Sequence, residues 1–296
     1  MTTSAPPPPS GGQAVATLVR AVTAGELAGY RDAVRTVLDS PAPGGGTPTP
    51  SPVHPFVLAH QAFELAFGKI GATRADGTEP TRVHLSQEIR VDRPLRPDER
   101  VTVEVDLLGA RREAGGVRVA LRAMLVGADG TQFAELVTGA LLGGAVTPAP
   151  FGELPPFPAH RGKATGTVLS RQLTRDSVRR YAEVSGDDNP IHLDDAAAEA
   201  AGFDGVIAHG MSVLAMVCEE VVDRHAGGDA TLVREIGVRF STPVRPGEPV
   251  DITLQPAGDT VCFSCRTPHG LALKGGWVTL GEPPLLSATE GTIAST

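Results

Sequence analysis

Asp187 and His192 stand five residues apart across Asn189-Pro190, inside the segment YAEVSGDDNPIHLDDAAAEAAGFDGVIAHG that runs from 181 to 210. No other stretch of the chain packs so many potentially catalytic groups together. A proline ring fixes its own φ and pushes the preceding residue out of the α region, so the segment reads as an extended or turned loop in which this spacing brings both side chains round one point. A carboxylate beside an imidazole is what water activation needs: one group polarises the water, and the other takes or returns a proton near neutral pH. The pair suits addition or elimination of water. His209-Gly210 stands immediately before a strongly apolar helical stretch. The first N–H groups of a helix lack internal partners and lie at the positive end of its dipole, and glycine permits close approach, so Gly210 is a candidate oxyanion donor to a carbonyl oxygen.

Each of these residues also has a purely structural reading. Asp187 also fits a residue that closes an Asx turn. His192 on its own reads as a partly buried, hydrogen-bonded imidazole, and His209 serves equally well to hold the loop or to touch a substrate. Asp194 and Asp195 read as N-terminal charges on the short Ala-rich helix that follows.

Two similar halves must position this loop. Residues 88–105, EIRVDRPLRPDERVTVEV, align without a gap on 237–254, GVRFSTPVRPGEPVDITL, at an offset of 149, placing Pro94, Arg96, Pro97 and Glu99 on Pro243, Arg245, Pro246 and Glu248. Val101, Val103 and Val105 correspond to Val250, Ile252 and Leu254, the period-two stripe of a half-buried strand. Further alternating strands follow in each half. One apolar helical stretch precedes them in each: 55–67, and 211–225, where Val213, Leu214, Val217, Cys218 and Val221 form one wide face. A long buried helix followed by antiparallel strands is an α+β plan in which a sheet wraps a central helix, the hotdog arrangement, here duplicated as a double hotdog. The expected division is a tail over 1–13, an N-terminal hotdog over 14–146, a Pro-rich linker over 147–162, a C-terminal hotdog over 163–284 and a second tail over 285–296.

Tyr181, Ser185-Gly186-Asp187, Asn189-Pro190-Ile191-His192, Ala198, Gly202-Phe203 and His209-Gly210 together resemble the hydratase 2 motif of the MaoC-like dehydratases, the (R)-specific enoyl-thioester hydratases. The whole motif is present at its spacing. The rest of the chain is similar in outline to the double-hotdog members, in which the N-terminal repeat has lost the motif. The resemblance implies Asp187 and His192 as the catalytic pair, Asn189 as a residue that orients it and Gly210 as the amide donor to the thioester oxygen. It further suggests Ser185, His209 and Phe203 as substrate-binding positions, and no metal or organic cofactor. The substrate would be an acyl thioester of coenzyme A or of an acyl carrier protein, in fatty-acid or polyketide metabolism. The residues of the first half agree with this division of labour: PVHPFVLAH lies opposite VIAHGMSVL, which sets Pro55 in the place of Gly210, and proline has no N–H to donate. Opposite the Asp-His loop stands SPAPGGGTPTPSP, without an ionisable side chain. By the same resemblance Phe56, Phe63 and Phe67 would help form an acyl pocket, or else simply fill the core.

Composition narrows the alternatives. Of 296 residues, 26 are Lys or Arg and 34 Asp or Glu, a formal charge of −8 that leaves no footprint for nucleic acid or an anionic membrane. Arg171, Arg175, Arg179 and Arg180 offer either a basic patch for a carrier protein or a solvated helix face. No apolar run approaches the roughly 18 residues that span a bilayer, and the start lacks the features of a secretory signal, so a cytoplasmic protein, monomeric or homodimeric, is expected. Cys262 and Cys265 lie on a strand pattern, three apart and so on opposite faces, which reads as structural. Two other functions fit the same fold: an inactive partner subunit that shapes a neighbour's tunnel, or a thioesterase.

Overall fold

A computed structural model describes residues 12–39, 49–162 and 165–281. The C-terminal tail expected over 285–296 lies outside the described residues, as does most of the N-terminal one, but Gln13 already opens a strand. In chain order the elements are β1 (Gln13–Val22), α1 (Ala24–Arg35), α2 (His54–Lys69), β2 (Thr81–Val91), β3 (Glu99–Glu113), β4 (Gly116–Val126), β5 (Gln132–Gly143) and β6 (Phe151–Gly152). The second half follows with β7 (Thr167–Gln172), α3 (Arg175–Ser185), a 3-10 turn at Pro190–His192, α4 (Asp195–Ala200), α5 (Gly210–His225), a second 3-10 turn at Ala230–Leu232, β8 (Val233–Phe240), β9 (Pro249–Ala257), β10 (Thr260–Thr267) and β11 (Gly270–Leu280).

Each half is built on a strand, a short helix, a long helix and four antiparallel strands, with α4 added in the second half and β6 after the first, and the two sheets join edge to edge into one 11-stranded sheet ordered β1-β3-β4-β5-β2-β8-β11-β10-β9-β7, with β6 beside β3. The seam lies between β2 and β8, where Glu88 pairs with Gly237 and Ile89 with Ile236. Glu88 and Gly237 are also the first aligned pair of the 149-residue repeat. Strands that are equivalent in sequence thus pair antiparallel across a pseudo-two-fold axis, the self-complementary joint of a symmetric dimer built into one chain. The same axis brings Tyr30 to Tyr181, with their hydroxyls 3.3 Å apart, and each tyrosine packs on its own half's histidine, Tyr30 on His54 and Tyr181 on His209. Both short helices start with a capping box, Thr23 with Glu26 and Thr174 with Ser177.

The two long helices are where the sequence patterns place them, but the expectation of a single wide apolar face on α5 is corrected. Every residue from Met211 to Val222 is buried, because α1 of the other half packs on the side the pattern left to solvent. Two carboxylates are buried with it. Glu219 is 0% exposed and receives Arg31 (Nη2 to Oε2, 2.9 Å) and Arg35 (Nη1 to Oε2, 2.7 Å), while Glu220 receives Arg171 (2.6 Å) and Arg224 (3.0 Å). Buried charges of this kind persist only when paired and hydrogen-bonded. The alternative of a basic carrier-protein patch loses most of its charge here: Arg171 pairs with Glu220 and Asp39, Arg175 with Asp195 and Arg179 with Asp176.

The Pro-rich crossover is docked along the sheet. Phe151–Gly152 pairs with β3, and farther on Phe157 and His160 pack against Trp277. Cys218, Cys262 and Cys265 are free thiols; β10 keeps its register with β9 across both strand cysteines, Cys265 lies in the core, and Cys262 is buried against the crossover at Gly162.

Candidate active site

The chain leaves α3 through Gly186, whose φ of 72° is left-handed and whose N–H closes on the Ala182 carbonyl. Glycine adopts that turn without steric cost. The turn presents Asp187, and its backbone N–H donates to Ser185 Oγ at 3.2 Å. Asn189 N–H donates to Asp187 Oδ1 (3.4 Å), and Asn189 Oδ1 accepts from Ile191 N–H (3.3 Å), so the Asx turn is present and serves to set the carboxylate's direction. Pro190 opens the 3-10 turn that delivers His192, and Asp194 caps α4 by accepting from Ala197 N–H (2.8 Å). Asp195 accepts from Val206 N–H and from Arg175, which returns the chain past the 3-10 turn to α5.

That return fixes the protons. His192 Nδ1 lies 2.8 Å from the Ile207 carbonyl, which can only accept, so Nδ1 carries the hydrogen and the Nε2 lone pair is left for chemistry. His209, 1% exposed, donates from Nε2 to the Asp187 carbonyl at 2.9 Å, and its ring lies 3.8 Å from that of His192. Burial lowers the His209 pKa to about 4, with His192 adding to the shift, and burial also lowers that of His192; both rings are neutral at pH 7. For Asp187 burial pushes upward, but His209, His60, His192 and the Asn189 N–H together hold the carboxyl below its ordinary value. A carboxylate and a neutral imidazole with a free lone pair therefore stand side by side.

Asp187, His192 and His209 bring a carboxylate oxygen and two ring nitrogens within 4.8 Å of one another, a donor set of the size a cation takes. The two rings face each other at 3.8 Å and 31°, so their in-plane lone pairs run side by side more than toward one point.

Gly210 is the first residue of α5, and no described group accepts from its N–H. A Cβ there would come 2.8 Å from Phe240 Cδ1, so the position admits only glycine while that ring keeps its place. Gly210→Ala is expected to lower turnover by about 10²-fold, because the displaced ring or helix start moves the donor from the oxyanion position. The unfolding midpoint should hardly fall, since alanine is the better helix former. Adding Phe240→Ala should restore part of the loss, which steady-state kinetics on the three variants will test.

Not all of the expected positions meet. Asp187, His192 and His209 come together, Asn189 is tied into the turn beside Asp187, and Gly210 follows His209 in the chain, while Ser185 and His209 are buried and engaged in holding the loop. Phe203 faces elsewhere, lining a cavity of about 160 Å³ with Ile207, Pro243, Arg245 and His269. Phe63 is a core residue, Phe56 is buried against His60 and His84, and Phe67 lies under Arg82. The loop opposite the Asp-His segment falls largely at 40–48, outside the described residues. Three residues escaped sequence reasoning: His60 of α2, His84 of β2 and Phe240 of β8. They form a wall in which His60 lies on Phe56, Phe56 on His84, and His84 on Phe240 above Gly210. The one available signal was a histidine inside the apolar stretch 55–67.

Residues 156–269 match the family model for the MaoC like domain. A 3-hydroxyacyl-thioester dehydratase X of Mycobacterium tuberculosis is 30% identical over 194 residues, which is 62% of this chain and 59% of that relative, so the chain spans less than two thirds of it. Among solved structures, a MaoC-like dehydratase from Phytophthora capsici superposes with a TM-score of 0.75 at 20% identity, covering 92% of this chain and 97% of that one. A Mycobacterium tuberculosis protein described as a double hotdog fold superposes at 0.59 and 15% identity over 92% and 96% of the two chains. The α+β double-hotdog fold is thereby established. Among the described residues no helix is long and apolar enough to cross a membrane.

Proposed function

Since the chain carries a MaoC-like domain over residues 156–269, we propose that it hydrates enoyl thioesters and dehydrates (R)-3-hydroxyacyl thioesters, of coenzyme A or of an acyl carrier protein, in fatty-acid or polyketide metabolism. The observation that carries this reading is the pairing of an ionised Asp187 with a neutral His192 whose Nε2 is free, beside the unpartnered N–H of Gly210. In the hydration direction a water bridges Asp187 and His192. Its oxygen bonds to C3 while one of the pair takes its proton, and a proton is delivered to C2 on the same face of the acyl chain. Charge that develops on the thioester oxygen is met by Gly210 N–H at the start of α5. Dehydration is the reverse. No step needs a metal or an organic cofactor.

Both members of the pair work deprotonated in hydration, and both have pKa values below their ordinary positions. Activity is therefore kept as pH falls toward the ordinary imidazole value of 6.5 and is lost only below it, as His192 takes up a proton. The check is the pH profile of kcat/KM for crotonyl thioester hydration. A limb at or above 6.5 would contradict the assignment of a depressed, neutral His192.

A further inference from the structure

α2 belongs to the half without the motif, yet its His60-Gln61 step abuts the turn that presents Asp187. His60 Nε2 lies 4.0 Å from Asp187 Oδ1, and Gln61 Nε2 lies 3.9 Å from the position a Cβ would take on Gly186. The His60 side chain is 19% exposed and that of Asp187 23%, so both face the same partly open space. The ring is backed by Phe56, which in turn lies on the half-buried His84. Aligning His54 with His209 sets His60 opposite Ala215, a fully buried residue of α5. The imidazole is thus not a leftover of the shared core, and it stands only on the helix that faces the motif loop.

The two oxygens of Asp187 are in unequal surroundings. Oδ1 accepts from Asn189 N–H and faces His60, whereas no described residue donates to Oδ2. An oxygen with two constraints fixes the rotation of the carboxylate, and the other keeps its lone pairs for water. At 4.0 Å the His60 contact is longer than a hydrogen bond, a distance that shortens when a ligand closes the site or that one water bridges.

From this geometry we infer that His60 is a positioning residue supplied by the N-terminal half, which orients Asp187 through Oδ1 and so leaves Oδ2 aimed at the reacting water. The inference rests on the hydratase reading above for its kinetic consequence only. Other groups that face Asp187 are His192 from the 3-10 turn, His209 ahead of α5, Tyr181 from α3 and His84 from β2. Burial keeps Tyr181 and His84 uncharged at neutral pH.

The test compares wild type with His60→Leu, which keeps the packing on Phe56, and with His60→Gln, which keeps an N–H donor. Asp187 is followed directly by 13C NMR of labelled aspartate carboxyls, its signal assigned by its loss in Asp187→Asn. In His60→Leu the Asp187 titration midpoint is expected to move upward and kcat for crotonyl thioester to fall about 10-fold to 100-fold with KM within about twofold. His60→Gln is expected to recover most of kcat but not the carboxyl midpoint. An unchanged carboxyl midpoint in both variants would overturn the inference, and so would a loss confined to KM, which marks simple substrate contact. The carboxyl titration needs no turnover, so it tests His60 even if wild type proves inactive on enoyl thioesters, a result that would instead refute the hydratase reading. Should His60→Leu fail to fold, His60→Gln and the same titration decide the question.

Discussion

Asp187→Asn is expected to reduce kcat by about 10³-fold while the protein keeps its fold and substrate affinity, within the 10²- to 10⁴-fold range of general acid–base groups. Asparagine preserves the shape of the side chain and can still accept from Asn189 N–H, so the Asx turn that sets its direction survives. What disappears is the carboxylate charge and the basic oxygen that holds the water. His192→Ala should cost a similar factor, and the double variant should cost little more than either alone, because the two groups act on one water and their effects do not add. Steady-state kinetics on the three variants, with circular dichroism as the check on folding, measures this. Near-normal rates in the double variant would show that the chemistry lies elsewhere.

The second large effect concerns stability. Glu219 lies buried where α5 of one half meets α1 of the other, and it neutralises both Arg31 and Arg35. Glu219→Ala leaves two buried guanidinium groups short of their counter-ion and is expected to lower the free energy of unfolding by about 3–5 kcal/mol. Asp223 still pairs with Arg35, so Arg31 carries most of the penalty. Replacing Arg31, Arg35 and Glu219 together with apolar residues of similar volume should recover most of the loss, since the penalty arises from stranded charges and not from the absence of ion pairs. Denaturant unfolding of the single and triple variants gives both numbers. A loss under about 1 kcal/mol for Glu219→Ala would mean that the cluster is solvated in solution.

Much of this architecture is legible in the sequence because it depends on local pattern. The repeat at offset 149 is written in period-two strands and matching Pro-x-Arg-Pro turns, and the motif loop is written in residues whose backbone preferences are strong, Gly186 and Pro190 above all. What depends on contact across the pseudo-two-fold axis is not legible. The helix α1 carries Glu26, Arg31 and Arg35, reads as polar, and hides arginines that are buried only because Glu219 and Asp223 of the other half meet them. The helix α5 reads as one-sided for the same reason. His60, His84 and Phe240 converge on the site through the β2 to β8 register and the packing of α2, neither of which has a signature in any one segment. Phe203 follows the turn at Gly202, with φ of 91°, and lines a cavity together with Ile207, whose carbonyl holds His192.

A half that has lost its own donor at Pro55 is nevertheless not a passive scaffold. It places the wall of Phe56 and His84 opposite Gly210 and sets His60 against the carboxylate. On the proposed function, the acid–base pair stands on one half and the wall of Phe56 and His84 on the other.

The most direct test of the central claim is the product formed from crotonyl thioester by the wild-type protein in D₂O, resolved by chiral chromatography and mass spectrometry. Addition of water by Asp187 and His192 beside Gly210 predicts (R)-3-hydroxybutyryl thioester with one deuterium at C2, delivered to the same face as the hydroxyl. Release of free thiol without hydration, or the (S) product, would contradict it.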